Sequence, residues 1–257
     1  MDAMLAGARR VFTLDGARVV FARAIDRVRR RVTRLDLEAV RRWCAASAID
    51  QAAWAAAIDP GLWAEASAFE SDLRNRASRL LASAQGRYGG GGAVALLYFL
   101  VRLRRPHYVV ETGVAAGWST AAILAAMEQN GAGHLWSSDF PYFRHGGNTA
   151  EIGLLVPGEL RPRWTLTTRG DQVNLPQILA EMPRVDFLHY DSDKSRAGRA
   201  WALALLRPKL IPGATIVFDD IQDNWHFRQI AGDRPLIFGE NGKFVGLLDR
   251  GGRDTWK

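Results

Sequence analysis

A single cysteine, Cys44, stands in 257 residues, so no disulfide can form within the chain and no CxxC metal motif exists. A reducing compartment fits that usage, and the expected location is the cytoplasm. Long apolar runs are missing too. The longest, AVALLYFLV at residues 93–101, has nine residues and is closed by Arg102, far short of the roughly 20 that span a bilayer. The opening MDAMLAGARRVF lacks the basic-then-apolar layout of a secretory signal. With 48% hydrophobic and 24% charged residues the chain is not of disordered composition, and it is long enough for one sizeable core with an appendage. No internal repeat and no low-complexity tract occur beyond the glycines at 89–92.

The net charge of +7 is uneven. Residues 1–105 hold 18 Arg against 10 Asp and Glu, and residues 106–257 hold 16 Lys and Arg against 17 acids. A nucleic-acid enzyme usually carries a basic stripe over its active domain. The near-neutral second part therefore argues for a small or neutral acceptor and against nucleic acid. Within residues 17–42, Phe21, Ala24, Ile25, Val28, Val32 and Leu35 recur at helical spacing, with Arg23, Arg27, Arg30, Arg31 and Arg34 largely on the other side. Three readings stay open: a surface helix on its own core, an arm that forms a homo-oligomer, and a helix lying on an anionic membrane surface.

Up to Arg105 the chain reads as helices, broken at Asp59-Pro60-Gly61 and at the glycine hinge. Short apolar runs then follow at 107–112, 133–138, 164–168, 185–190 and 214–218, with helical stretches at 120–130, 175–181 and 196–206. This alternation predicts a parallel sheet covered on both faces. Near the end, two apolar runs flank Asn241-Gly242, the signal of an antiparallel hairpin.

The stretch ETGVAAGWST, residues 111–120, joins the first strand to a helix. Gly113 allows a sharp turn off the strand, Gly117 lets a ligand approach the backbone, and Ser119 offers a hydroxyl. The loop has neither the full GxGxxG spacing nor the Lys-Ser/Thr of a phosphate loop. Asp139, at the end of the next strand, is placed to accept hydrogen bonds from ribose hydroxyls. A nucleoside-bearing ligand is the expectation.

Taken in order, ETGVAAGWS, Asp139, Gly170-Asp171, YDSDKS and PGATIVFDDIQDN resemble a class I S-adenosylmethionine-dependent methyltransferase. Within that superfamily the chain is most similar to metal-dependent small-molecule and sugar O-methyltransferases. The resemblance covers about residues 90–250. It implies a Rossmann-like α/β fold: a seven-stranded, mostly parallel sheet with an antiparallel last strand and helices on both faces. Residues 1–85 carry no such resemblance; the expected division is a helical, arginine-rich N-terminal extension or lid over 1–88 and the methyltransferase domain over 89–257. The resemblance further implies that Glu111, Gly113, Gly117 and Ser119 line the methionine end of the cofactor, with Asp139 on the ribose and Asp171 on the adenine edge.

Asp191 and the pair Asp219-Asp220 leave neighbouring strands at one end of the sheet, so three carboxylates can converge. Such a cluster ionises cheaply only with a cation, and hard oxygen ligands suit Mg²⁺. In metal-dependent members of the resembled family a cation is held at these three positions, and Asp191 also contacts the cofactor. Candidates for the base that deprotonates a hydroxyl are Asp193 and Lys194. The expected reaction is Mg²⁺-assisted O-methylation of a small molecule or of a glycan or natural-product sugar. A metal-independent methyltransferase, including one acting on RNA, a dinucleotide oxidoreductase and a non-catalytic assembly protein are the alternatives. His189 reads as packed inside its strand, whereas His145 and His226 sit in loops.

Overall fold

The computed structural model describes residues 34–82, 84, 90–140, 151–232, 235–240 and 242–249. Most of the arginine-rich stretch, together with His145 and Asn241, lies outside them. Helix α1 (Arg34–Ser47) carries the stretch on from Arg34. Helices α2 (Gln51–Ile58) and α3 (Pro60–Ala82) follow. Asp50 caps α2 by accepting from Ala53 N. Asp59 then ends α2 and starts α3, its carboxylate accepting from Leu62 N with Pro60 at the first helical position. Helix α4 (Val94–Arg104) is buried through eight consecutive residues, 94–101, which explains its unbroken apolar run.

Seven strands then alternate with helices: β1 (Tyr108–Thr112), α5 (Trp118–Asn130), β2 (His134–Ser138), β3 (Trp164–Thr167), α6 (Asp171–Glu181), β4 (Val185–Tyr190), α7 (Arg196–Leu206), β5 (Leu210–Phe218), α8 (His226–Ala231), β6 (Leu236–Glu240) and β7 (Lys243–Asp249). The sheet order is β3-β2-β1-β4-β5-β7-β6. β1 to β5 pair in parallel, and β7 runs antiparallel to both β5 and β6, as the hairpin signal predicts. Two elements start earlier than the sequence suggests. β5 begins at Leu210 because a register shift against β4 absorbs Pro212-Gly213. α6 begins at Asp171 and carries Pro176 inside it.

Side-chain alternation in the strands divides the interior in two. Val109, Phe187 and Val217 join a core with α2 to α5, while Val110, Leu188 and Ile216 join a second core with α1 and α6 to α8. The early helices are part of this packing. Ile49 N donates to Ile237 O, which extends the sheet edge at β6. Trp43 of α1 and Trp225 both face the guanidinium of Arg228 on α8. Among the described residues no helix is long and apolar enough to cross a membrane.

His226 opens α8 in the second core, 6% exposed, its backbone N–H donating to Asn224 Oδ1. Burial, with the charges of Arg199 and Arg196, pushes its pKa down to about 4. The unfolded chain therefore binds a proton there between about pH 6.5 and 4 that the folded chain does not. Folding stability should fall as pH drops through that window, by up to about 3 kcal/mol from this group. Chemical denaturation at pH 7 and pH 4.5 checks this: His226→Gln should flatten the pH dependence relative to the parent chain.

Candidate functional site

The strand order reverses between β1 and β4, and the loops leaving their carboxyl ends meet there, as open α/β sheets provide for a ligand. Asp191 N donates to Thr112 O and Asp219 N to Tyr190 O, so the ladder continues one residue past each strand into the loops. Gly113 has φ +82, and a Cβ there would stand 2.7 Å from Asp191 O. Only glycine lets the first loop pass so close under the fourth strand's exit. Gly117, at φ +94, opens α5 with no side-chain cap, which leaves the helix amides facing the loop.

Glu111 is fully buried. Its carboxylate accepts from Ser119 Oγ (2.6 Å), Thr120 Oγ1 (2.7 Å) and Ser137 Oγ (2.8 Å). It thus ties the first turn of α5 to β2. Asp139 accepts from Ala115 N at 2.8 Å, Val114 N at 3.1 Å and Phe140 N at 2.6 Å, which clamps the glycine loop to the end of β2. Burial pushes its carboxyl above the usual range, although the three amides oppose the shift. Asp171, at the start of α6, accepts from the hydroxyls of Ser138 and Ser192 and so links the loops after β2, β3 and β4.

Ligand oxygens of Asp191, Asp219 and Asp220 all lie within 4.8 Å of one another. The Lys194 ammonium lies among them, paired with Asp191 and 3.4 Å from Asp220 Oδ2. Lys243 Nζ stands 3.3 Å from Asp220 Oδ1. Burial pushes the Lys194 pKa down, against the pull of Asp219 and Asp220. For Asp220, burial acts upward, yet Lys194 and Lys243 outweigh it and hold the carboxyl below its ordinary value. The other base candidate is differently placed. Asp193 is exposed at the start of α7, where its Oδ1 accepts from Ser195 N at 2.8 Å.

His189 packs inside β4, 3% exposed, with Nδ1 3.5 Å from Glu111 Oε1. Cys44 is buried in the second core, and burial pushes its thiol up to about 11. Three features of the site carry no motif in the sequence. Asn174 donates from Nδ2 to Ser138 Oγ, Asp139 O and Thr167 O, fixing the ends of β2 and β3. The glycine hinge is a strap beside the site: a Cβ on Gly91 would strike Trp118, and one on Gly92 would lie 3.9 Å from both Asp219 carboxylate oxygens. Arg74 of α3 holds the strap, bonding Gly91 O while paired with Glu70 and Glu240. The third is Arg199, buried in α7 at a position whose neighbours Ala202, Leu203 and Leu206 are apolar. That helical stripe was the available signal.

Residues 110–221 match a family model described as a methyltransferase domain. No match emerges among curated protein sequences. Among solved structures the chain is similar to an O-methyltransferase from Bacillus cereus in complex with SAH, with a TM-score of 0.53 at 16% identity over 70% of this chain and 90% of that one. It is similar also to the O-methyltransferase TomG from Streptomyces achromogenes, involved in tomaymycin synthesis and in complex with SAM, with a TM-score of 0.52 at 15% identity over 71% and 89%. Sheet order and loop placement give this chain the fold of those methyltransferases, and residues 110–221 within it match a methyltransferase domain.

Two glycines separate the demands of the loop from those of backbone sign. At Gly131, with φ +69, an added Cβ would meet nothing within 4 Å, whereas Gly113 has both a positive φ and the Asp191 backbone against it. Gly131→Ala should cost about 1 kcal/mol of stability and Gly113→Ala about 2–4 kcal/mol, because strain and overlap add. Urea unfolding of the two variants measures the difference.

Proposed function

We propose that the chain transfers the methyl group of S-adenosylmethionine to a hydroxyl oxygen of a small molecule, or of a sugar in a glycan or natural product, with a divalent cation at Asp191, Asp219 and Asp220. The observation that carries the reading is the meeting of these carboxylates and Lys194 beside the glycine loop. An oxygen acceptor needs deprotonation and alignment more than it needs activation of the methyl group, which a sulfonium already supplies.

The donor set fits the cation. Three carboxylate oxygens within 4.8 Å are hard ligands suited to Mg²⁺, and the chain already sets a positive group, the Lys194 ammonium, among them. Ammonium and cation would compete for the same oxygens. When bound, the cation supplies Lewis-acid stabilisation of the acceptor oxyanion. Of the two base candidates, Lys194 reaches the cluster, and burial lowers its hold on a proton, so it is the better placed to accept one from the hydroxyl. Asp193 then organises the start of α7.

In this reading the loop through Gly113 and Gly117 lines the methionine end of the cofactor, and Glu111 acts on that end through Ser119. Asp139 keeps one acceptor site, on Oδ1, for a ribose hydroxyl beyond its three amide bonds, and Asp171 is assigned to the adenine edge. The domain boundary is placed near residue 88; ahead of it α1 to α3 pack on the two cores, and Arg74 of α3 holds the strap beside the acceptor space. The protein is expected to work in the cytoplasm.

Transfer of labelled methyl from S-adenosylmethionine, screened over phenols, hydroxylated small molecules and sugars, tests the activity. EDTA should abolish turnover and added Mg²⁺ restore it, while S-adenosylhomocysteine still binds by calorimetry. Asp139→Ala should weaken that binding by about 1–3 kcal/mol. Lys194→Met should lower kcat by about 10²–10⁴-fold yet leave divalent-ion binding intact or tighter. Full turnover by metal-free enzyme, verified by elemental analysis, would leave a metal-independent transfer.

A further inference from the structure

We propose that Arg199 is a positioning residue, whose guanidinium sets the Asp219-Asp220 turn so that both carboxylates face Asp191 and Lys194. The proposal rests on the reading of that cluster as a cation-holding site. On α7 the inward stripe is Arg199, Ala202, Leu203 and Leu206, so a fully buried guanidinium takes the place of an apolar side chain. A charge taken out of water is a poor way to fill a core, and an apolar side chain of like volume commonly packs as well or better. Its presence calls for a directed role.

The hydrogen bonds show the direction. Nη2 donates to Asp219 O and to Asp220 O, both at 2.9 Å. Nε and Nη1 have no protein acceptor among the described residues. The directed bonds of the guanidinium thus go to one turn. That turn needs holding, because Asp220 has φ 50 and ψ 44, a left-handed conformation that costs any residue with a Cβ. With both carbonyls drawn inward to Arg199, the two carboxylates stand on the other side, toward Asp191. The positive charge beneath the turn also offsets repulsion among the acids.

Charge and geometry predict opposite outcomes for one variant. Electrostatics alone says that Arg199→Met, by removing a positive charge, tightens binding of a divalent cation. Positioning says that it loosens binding, by about tenfold or more, as when groups that orient metal ligands are removed. Mn²⁺ titration of the folded protein followed by electron paramagnetic resonance is the readout, and Arg199→Lys should recover part of the affinity. A folded Arg199→Met protein with affinity equal to or above the parent's overturns the proposal. Should Arg199→Met not fold, Arg199→Gln takes its place with the same criterion. Should the parent bind no Mn²⁺, the cation reading falls by itself. Amide hydrogen exchange over residues 219–224 then decides: faster exchange in the variant supports positioning, and unchanged exchange overturns it.

Discussion

Three carboxylates repel one another at the carboxyl ends of β4 and β5, and much of this end of the molecule answers that repulsion. Asp191, Asp219 and Asp220 are brought together by the parallel register of the strands they leave. Lys194 lies among them, Lys243 reaches Asp220 from the first position of β7, and Arg199 lies beneath the turn. The three cations come from three elements, so the charge balance exists only in the folded chain. It is also why a hairpin at the far edge of the sheet matters to the site: β7 delivers Lys243.

The second constraint is backbone closeness at the β1–β4 reversal. Gly113 passes against Asp191, and Asp139 clamps the loop amides from the β2 side. The glycine-loop side and the carboxylate side are therefore tied together, joined further through Thr112, Ser192 and Asp171. Under the proposed function, a methyl donor on one side and an oxygen acceptor on the other would be held by loops hydrogen-bonded to one another. Alignment of this kind is where a transferase with an already activated methyl group gains its rate.

The elements of the fold differ in how plainly the sequence announces them. Strand and helix alternation was legible because apolar runs of five or six residues end in glycine or carboxylate punctuation. The boundaries of β5 and α6 were not, because Pro212 and Pro176 read locally as breaks while a register shift and a helical start absorb them. Glu111 reads as a cofactor contact in a motif, yet both of its oxygens are engaged by Ser119, Thr120 and Ser137. Arg74, separated from Gly91 by a helix end, gave no local sign of its contact with the strap.

By itself the sequence determined the class of sheet, the hairpin at its edge, the positions of Gly113, Gly117 and Asp139, and the three acids that could meet. Those follow from period, turn chemistry and the rule that loops leaving parallel strands share one end. Only the tertiary structure decided which cation stands among the acids, that Lys194 and not Asp193 points inward, and that Arg199 is buried under the Asp219-Asp220 turn. The reason is physical. A side chain's partner across the sheet is set by packing of distant segments, and the cost of burying a charge depends on what that packing places beside it.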